Sequence, residues 1–402
     1  MKKPDFTDIF GRLLEQVRDG YRPEPFLGYA NTRFYTDSQW FEKERSALFK
    51  NKPILVGHLS MLSKPGDVFT HDHLGIPIMV VKGKDEKIRA FLNVCRHRGV
   101  RLVNTDETSN RTSFVCPYHN WVYNLQGDLT HIPLHDESFP TIDPACHNLK
   151  ELPLGLCEGL IFVCPDPEGS VDMDQHLGML KADFARFGMA DHVFFRQSTR
   201  RLKTNWKLLV EAFQDSYHVK RLHKKTVAPG FLDAVARSER SGDHILAVVA
   251  RNEFPEAIDL PPEQWDLRHH ASCAMYLFPN VEVVVHPDYI SYLAFFPIAV
   301  DETVVVHTCF IEEAPTNEKA QAHWERAFDI IENGVFGPED YFVCEQAQIG
   351  MASGANTHFT MGAHEYGIGQ FHQILTDHVG KFDHQSPAQL QSIDAPSRAH
   401  RS

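Results

Sequence analysis

The chain has 402 residues, 43% of them hydrophobic, and a formal net charge of −13 at pH 7. This composition is typical of a globular protein large enough for two domains, and the acidic balance argues against nucleic acid or an anionic membrane as partner, because both attract clustered Lys and Arg. The eight cysteines lack the spacing of a disulfide framework, and no apolar run is long enough to cross a bilayer. We therefore expect a cytoplasmic protein in which a few thiols bind metal.

Three regions follow one another along the chain. Residues 1–48 carry apolar residues at helical spacing, and we expect this lead-in to pack on the C-terminal domain. Residues 49–165 contain short β-like runs broken by Gly, Pro and Asp, which predict a small antiparallel β domain. The stretch after it, up to Ser170, has the composition of a linker, and residues 171–402 are expected to form a second domain.

The second domain combines strand and helix patterns. Val281–Val285, Tyr289–Phe296 and Thr303–Ile311 read as three consecutive strands of an antiparallel meander. Beyond them, Thr316 suits the N-cap of one helix, and Pro338 suits the first turn of another.

The stretch from Asn205 to His223 predicts an amphipathic helix. Its apolar residues recur at i, i+3, i+4 and i+7: Trp206, Leu209, Val210 and Phe213. Glu211, Asp215 and His218 form a polar stripe, which taken alone is more typical of a solvated face than of a metal site. His223 lies about 140° round the helix from His218, so the two histidines share a site only if the helix ends or bends between them.

Cysteine and histidine are paired twice inside the predicted β domain. Cys95 and His97 form one pair, and Cys116 and His119 form the other. A zinc site with two cysteines and two histidines usually takes like residues from one element, whereas here each loop supplies one of each. This mixed pairing favours a Rieske [2Fe–2S] centre, in which two thiolates hold one iron and two imidazoles hold the other. Structural zinc is the alternative.

The two motifs together resemble those of the Rieske non-haem iron oxygenases, specifically the terminal oxygenase (α) subunit of ring-hydroxylating enzymes. The motifs are C-x-H with C-x-x-H around the paired cysteines, and E-x₃-D-x₂-H-x₄-H from Glu211 to His223. The resemblance implies an α+β fold. An antiparallel β Rieske domain would occupy 49–165, and a helix-grip catalytic domain, with an antiparallel sheet wrapped on a long helix, would occupy 171–402.

The resemblance also implies which residues hold the metals. The two Cys–His pairs would hold the [2Fe–2S] cluster. His218, His223 and Asp340 would hold a mononuclear Fe(II) on one face, leaving the other coordination positions for O₂ chemistry. Glu339 and Glu345 are rivals for the position of Asp340.

Asp215 is similar to the family's bridging aspartate, which connects an iron-bound histidine to the Rieske cluster of the neighbouring subunit. A homotrimer or a trimer-based oligomer is therefore implied, with or without a β subunit. The sequence has neither a G-x-G-x-x-G signature nor a second cysteine cluster. Electrons would therefore come from NAD(P)H through a separate reductase, alone or with a ferredoxin.

The substrate is less defined than the reaction. We expect hydroxylation or dihydroxylation of an aromatic compound or aromatic acid, as in aromatic hydrocarbon catabolism; the alternative is monooxygenation or N-demethylation of a quaternary ammonium or methylated amine. Trp265 and Tyr276 are candidates for an aromatic cage around a cation. The candidate partners for a carboxylate are Arg221, Lys224, Arg251 and Arg268. A different class, a Rieske electron-transfer protein, would lack the second iron site.

Overall fold

The computed structural model describes residues 4–23, 25–105 and 107–382. The N-terminal segment contains α1 (Phe6–Arg18), β1 (Gly28–Asn31) and α2 (Ser38–Phe49). Asp5 caps α1 by accepting from the backbone N–H of Asp8 at 2.9 Å, which satisfies one of the free donors of the first turn. Both helices are amphipathic and lay their buried aromatic and aliphatic side chains against the C-terminal part of the chain.

The next region consists of three small antiparallel sheets with short strands. Their orders are β10-β5-β4-β3-β6, β11-β12-β2 and β7-β8-β9. The elements are β2 (Ile54–His58), β3 (Asp67–His71), β4 (Ile78–Lys82), β5 (Ile88–Leu92), β6 (Ser109–Asn110), β7 (Phe114–Val115), β8 (Val122–Tyr123), β9 (Leu129–His131), α3 (His135–Ser138), β10 (Glu151–Leu152), β11 (Leu154–Cys157) and β12 (Leu160–Val163). The sheet β7-β8-β9 carries one of the two cysteine loops.

The C-terminal region is built on one seven-stranded antiparallel sheet of order β13-β19-β18-β17-β16-β15-β14. Its strands are β13 (Val193–Leu202), β14 (Phe231–Ser241), β15 (His244–Arg251), β16 (Ala271–Leu277), β17 (Val281–Val285), β18 (Tyr289–Ala299) and β19 (Glu302–Ile311), and β20 (His358–Met361) pairs with β1. The helices are α4 (Met173–Leu177), α5 (Leu180–Arg186), α6 (Trp206–Gln214), α7 (Val219–Leu222), α8 (Leu267–His270), α9 (Glu318–Asp329), α10 (Phe342–Ala352) and α11 (Tyr366–Val379). The predicted meander corresponds to β17, β18 and β19.

Helices α6 and α11 pack on one face of the sheet, and α1 packs on the other. Residues alternate along β15, so that Leu246 and Val248 pack with α1 while Ala247 and Val249 face the helical side. On that side, α6 crosses β16, β17 and β18, and α11 lies over β14 and β15. The predicted α+β fold is confirmed, with one difference: α6, the helix in the grip of the sheet, is only nine residues long.

Two local predictions near the C-terminus need correction. Asn317, rather than Thr316, caps α9, because its side chain accepts from the N–H of Ala320 at 2.9 Å. Pro338 does not open a new helix. It lies inside a π-helical segment, Ile330–Tyr341, that joins α9 to α10.

None of the helices within the described ranges combines the length and the apolar character required to cross a membrane.

Candidate functional site

The two cysteine loops of the β region share one backbone frame. In each loop the cysteine N–H donates to the carbonyl five residues on at 2.8 Å, and the cysteine carbonyl accepts from the N–H four residues on at 3.0 Å. The residue that closes each turn has a positive φ, 77° at Gly99 and 57° at Asn120, which glycine and asparagine tolerate best. Cys95 and Cys116 therefore occupy equivalent positions on two matched turns.

The four side chains of these loops converge. Cys95 and Cys116 are both 2% exposed, and the rings of His97 and His119 have centroids 4.6 Å apart. Trp121 stacks on His97 at 4.8 Å with only 9° between the ring planes. The Nδ1 atoms of both histidines are buried without a hydrogen-bond partner in the described chain. Buried unpaired imidazole nitrogens beside two free thiols fit the donor set of a Rieske cluster.

A tyrosine stands directly behind one of these thiols. The Tyr123 hydroxyl lies 3.4 Å from Sγ of Cys95 and accepts from the backbone N–H of Arg96 at 2.9 Å. Burial raises the pKa of Tyr123, so its hydroxyl keeps its proton and is a donor toward the sulfur. Hydrogen bonds to sulfur are among the factors that set the potential of an iron–sulfur cluster.

The second constellation begins where α6 ends. Asp215 adopts extended backbone angles, φ −107° and ψ 113°, and its Oδ1 accepts from the backbone N–H groups of Tyr217 at 2.6 Å and His218 at 3.3 Å. The chain then forms the single turn of α7, and His223 follows that turn directly. The bend that the spacing of the two histidines required is therefore present.

His218, His223 and Asp340 come together at the end of α6. The two Nε2 atoms are 3.2 Å apart. Oδ1 of Asp340 lies 3.6 Å from Nε2 of His218 and 3.4 Å from Nε2 of His223. Three ligand atoms so close together form a set that could hold one divalent metal ion.

Carboxylates stand behind both histidines. Oδ2 of Asp215 lies 3.4 Å from Nδ1 of His218, and Oε2 of Glu339 lies 2.8 Å from Nδ1 of His223. Thr226 donates to the same Glu339 oxygen at 2.7 Å. Burial alone lowers the pKa of His223, but the carboxylates of Asp340 and Glu339 raise it overall. A carboxylate on Nδ1 fixes the tautomer that leaves the Nε2 lone pair free, which is the arrangement usual around metal-bound histidines.

The three acids that compete in the sequence thus take three different places. Asp340, on the π-helical segment, lies beside the Nε2 atoms of both histidines. Glu339 lies on the other side of the His223 ring, at Nδ1. Glu345 points elsewhere, because it accepts from the backbone N–H of Lys203 at 2.8 Å. The sequence analysis did not recognise the role of Glu339, because only the fold shows that adjacent acids face different atoms of one imidazole.

Glu211 belongs to a network on the far side of α6. Its Oε1 accepts from the hydroxyl of Tyr35 and from Nε2 of His372, both at 2.7 Å. One turn earlier, Lys207 forms a buried ion pair of 2.8 Å with Glu44 of α2. These contacts tie α6 to the N-terminal and C-terminal helices and hold its metal-site end in position.

A cavity of about 330 Å³ adjoins the triad. It lies between the helical wall that carries the triad and a floor formed by β14, β15, β16 and β17. Phe213, Val227 and Phe336 make much of the helical wall apolar, and Arg251 and His286 lie on the floor. Neither Trp265 nor Tyr276 lines it, so the aromatic cage predicted for a cation is not formed by these residues.

A β domain with matched Cys–His loops, joined to a helix-on-sheet domain with two histidines and one carboxylate beside a cavity, defines an iron–sulfur oxidoreductase with a second, mononuclear metal site. Family models agree with this class. Residues 52–153 match the Rieske [2Fe-2S] domain, and residues 189–381 match the ring hydroxylating alpha subunit (catalytic domain). The chain belongs to the Rieske non-haem iron oxygenases as a terminal oxygenase (α) subunit, with a [2Fe–2S] cluster and a mononuclear iron as cofactors.

Curated relatives fall into two groups. The oxygenase subunit of carnitine monooxygenase from Escherichia coli (strain K12) is 29% identical over 360 residues, which cover 85% of this chain and 91% of that subunit. The chlorobenzene dioxygenase α subunit of Cupriavidus sp. (strain PS12) is 34% identical over 221 residues, 52% of this chain and 47% of that subunit. The match therefore spans about half the length of this dioxygenase subunit.

Solved structures show the same fold. A quaternary ammonium Rieske monooxygenase in complex with L-carnitine has a TM-score of 0.74 at 22% identity, covering 95% of this chain and 100% of that chain. Naphthalene 1,2-dioxygenase from Rhodococcus sp. has a TM-score of 0.75 at 18% identity, covering 93% and 98%. Both groups of relatives thus share the architecture of this chain.

Proposed function

We propose that His218, His223 and Asp340 hold the mononuclear iron of this oxygenase. The observation that carries the proposal is their geometry: three ligand atoms from two distant parts of the chain meet beside a cavity, and both histidines have carboxylates behind them. A closed structural site would use a fourth protein ligand, and none completes the triad among the described residues. The open side faces the cavity, where a substrate can reach it.

We further propose that Cys95, Cys116, His97 and His119 hold the Rieske cluster, with the thiols on one iron and the imidazoles on the other. The orphaned Nδ1 atoms and the buried thiols support this proposal. When bound, the cluster supplies single electrons and the mononuclear iron supplies the open positions at which O₂ is activated. The chain's own part is to orient the ligands, keep water from the cavity and place the substrate.

Asp215 would be the link between the two sites. It lies beside Nδ1 of His218, and its side chain is 17% exposed, so one edge remains accessible from outside the chain. The proposed homotrimer would bring the Rieske domain of a neighbouring subunit to that edge. The trimer would form with or without a β subunit, and a separate NAD(P)H-dependent reductase, alone or with a ferredoxin, would supply the electrons.

We propose the same domain boundaries that the sequence predicts. Residues 49–165 would be the electron-storing domain and 171–402 the catalytic domain, with 1–48 packed on the latter. The contacts of α1 with β14 and β15, and of α2 with α11, support the last part.

The reaction would be hydroxylation or dihydroxylation of a small organic compound. The apolar helical wall with Phe213 and Phe336 favours an aromatic body. The alternative, monooxygenation of a quaternary ammonium compound, is favoured by the carnitine monooxygenase relatives, which match this chain over nearly their whole length.

The test is metal content with the cluster as internal standard. In Asp340→Ala, the mononuclear iron should be lost while the Rieske EPR signal and acid-labile sulfide persist, because the change lies outside the cysteine loops. Glu345→Ala, an acid on the next helix, is the matched control and should keep both metals. Loss of the cluster in Asp340→Ala, or zinc in place of iron and sulfide in the wild type, would refute the assignment.

A further inference from the structure

The floor of the cavity is built from unusually small side chains. In β14, β15 and β16 the residues that face the cavity include Ala236, Ser238, Ala247, Ser272 and Ala274. They lie side by side in register: Ser238 opposite Ala247, and Ala247 opposite Ala274. Small side chains in a row on a central sheet leave a space that the overlying helices do not fill, and this space is the cavity.

One end of that floor is polar. Ser272 pairs with Val249, and Arg251 follows Val249 two residues on, at the end of β15. His286 follows β17 at the same end, one step past the pair of Val285 with Cys273. Arg251, His286 and Ser272 thus meet at one edge of the floor, whereas the triad belongs to the helical wall.

Two polar atoms at this edge have no hydrogen-bond partner among the described residues. Nε of Arg251 and Nε2 of His286 are buried, and neither forms a hydrogen bond within the described residues. The nearest acid, Glu253, has its Oε2 3.6 Å from Nε of Arg251, which is too long for a hydrogen bond. Burial lowers the pKa of His286 to about 3, so the ring is neutral at neutral pH and Nε2 is available to a ligand. Nε–H of Arg251 is a donor, and the Nε2–H tautomer of His286 adds a second. A buried, unpaired donor in a cavity indicates a ligand that brings an acceptor.

The positive charge of Arg251 indicates which acceptor group the ligand carries. Arg251 is the only lysine or arginine among the described residues that line the cavity. Its guanidinium group lies 5.8 Å from the ring centroid of Phe231, its partner on the neighbouring strand. A guanidinium group with unmet donors is best satisfied by a carboxylate, which accepts two parallel hydrogen bonds.

We propose that Arg251, His286 and Ser272 form a carboxylate subsite, so that the substrate of the proposed oxygenase is a small organic carboxylate; this inference rests on the proposed function for the reaction itself. The carboxylate binds at the polar edge of the floor, and the apolar body lies against Phe213 and Phe336 near the triad. A simple cation or an uncharged ring leaves Nε–H of Arg251 without a hydrogen-bond acceptor and is a poorer ligand.

Binding without turnover tests the subsite. The probes are two matched pairs, benzoate with benzamide and trimethylammonioacetate with choline, titrated calorimetrically into the oxidised, metal-loaded enzyme without reductant. In at least one pair the carboxylate should bind about tenfold or more tightly than its partner, the effect of a hydrogen bond to a charged group. If neither carboxylate binds at millimolar concentration, or if each pair binds equally, the proposal fails.

Variants identify the residue responsible. Arg251→Gln should abolish the preference for the carboxylate, and Glu253→Gln should strengthen carboxylate binding because it removes the acid that forms an ion pair with Arg251. The control is Arg89→Gln, whose partner is Asp85 in the β region, and it should bind as the wild type does. An unchanged preference in both Arg251→Gln and Glu253→Gln would overturn the proposal.

Substrate-dependent O₂ uptake separates the two proposals. Carboxylate binding through Arg251 without uptake in the presence of a surrogate reductase would contradict the oxygenase mechanism and leave the subsite standing. Uptake with benzamide or choline that equals uptake with the carboxylates would contradict the subsite and leave the oxygenase standing.

Discussion

Replacing Glu339 with glutamine should weaken iron binding at the triad and leave the Rieske cluster intact. Oε2 of Glu339 lies 2.8 Å from Nδ1 of His223 and accepts from Thr226 at 2.7 Å, so a single oxygen orients the imidazole and is itself held in place. Glutamine keeps the size of the side chain but removes its charge and part of the basicity that it lends to Nε2. Loss of such a partner costs about 10–100-fold in metal affinity, or about 1.4–2.7 kcal/mol.

The assay is anaerobic titration of metal-depleted protein with Fe(II), with the visible spectrum of the cluster as a check on protein integrity. Glu345→Gln is the matched control, because Glu345 is the same residue type but bonds the backbone N–H of Lys203. The control should bind iron with the wild-type affinity. Equal affinities of Glu339→Gln and the wild type would refute the reasoning, and so would a parallel loss of iron and cluster.

Three further changes test other parts of the chain. Asp215→Asn should retain both metals but slow electron delivery to the mononuclear site in single-turnover experiments, and a normal rate would contradict the bridging role. Lys207→Met should lower the free energy of unfolding by about 3–5 kcal/mol, because it leaves the buried Glu44 carboxylate without its counter-ion; adding Glu44→Gln should recover most of that loss in denaturant titrations, and an additive loss would contradict the pairing. Burial lowers the pKa of His71 to about 3, against about 6.5 in an unfolded chain. Between these two pKa values the unfolded state therefore binds more protons, so the contribution of neutral His71 to the free energy of unfolding is complete above pH 6.5 and falls by about 1.4 kcal/mol per pH unit below it. His71→Phe should reduce the pH dependence of the thermal unfolding midpoint between pH 4 and 6, and an unchanged dependence would refute this.

Local features were the easiest to predict from the sequence. The loops around Cys95 and Cys116 are short, and each proposed histidine ligand lies within three residues of its cysteine, so the spacing predicts that the four side chains lie close together. The sequence also predicted that the helix must end or bend between His218 and His223 if the two share a site, because a straight helix places residues five apart on different faces. The same stereochemical argument could not show that Asp215 forms the bend, with extended backbone angles at the end of α6 and a side chain that accepts from the N–H groups of Tyr217 and His218.

Long-range features required the fold. Asp340 meets the histidines only because the π-helical segment returns across the end of α6, and the sequence pattern predicted an ordinary helix start at Pro338 instead. Arg251 was one of four equal candidates for a carboxylate, and strand register selects it by placing it on the cavity floor. The prediction that Trp265 forms part of an aromatic cage was wrong for a related reason. Trp265 packs against Phe10 of α1, on the opposite face of the sheet.

The small side chains of the cavity floor have a consequence for the history of such a protein. The proposed metal ligands belong to the helical wall, whereas the shape and polarity of the floor depend on separate strands whose backbone pairing does not require a particular side chain. Exchanging Ala247 or Ala274 for a larger residue would therefore alter which molecules fit without moving a metal ligand. Reactivity and selectivity are carried by different secondary-structure elements, so selection can change one while the other is preserved.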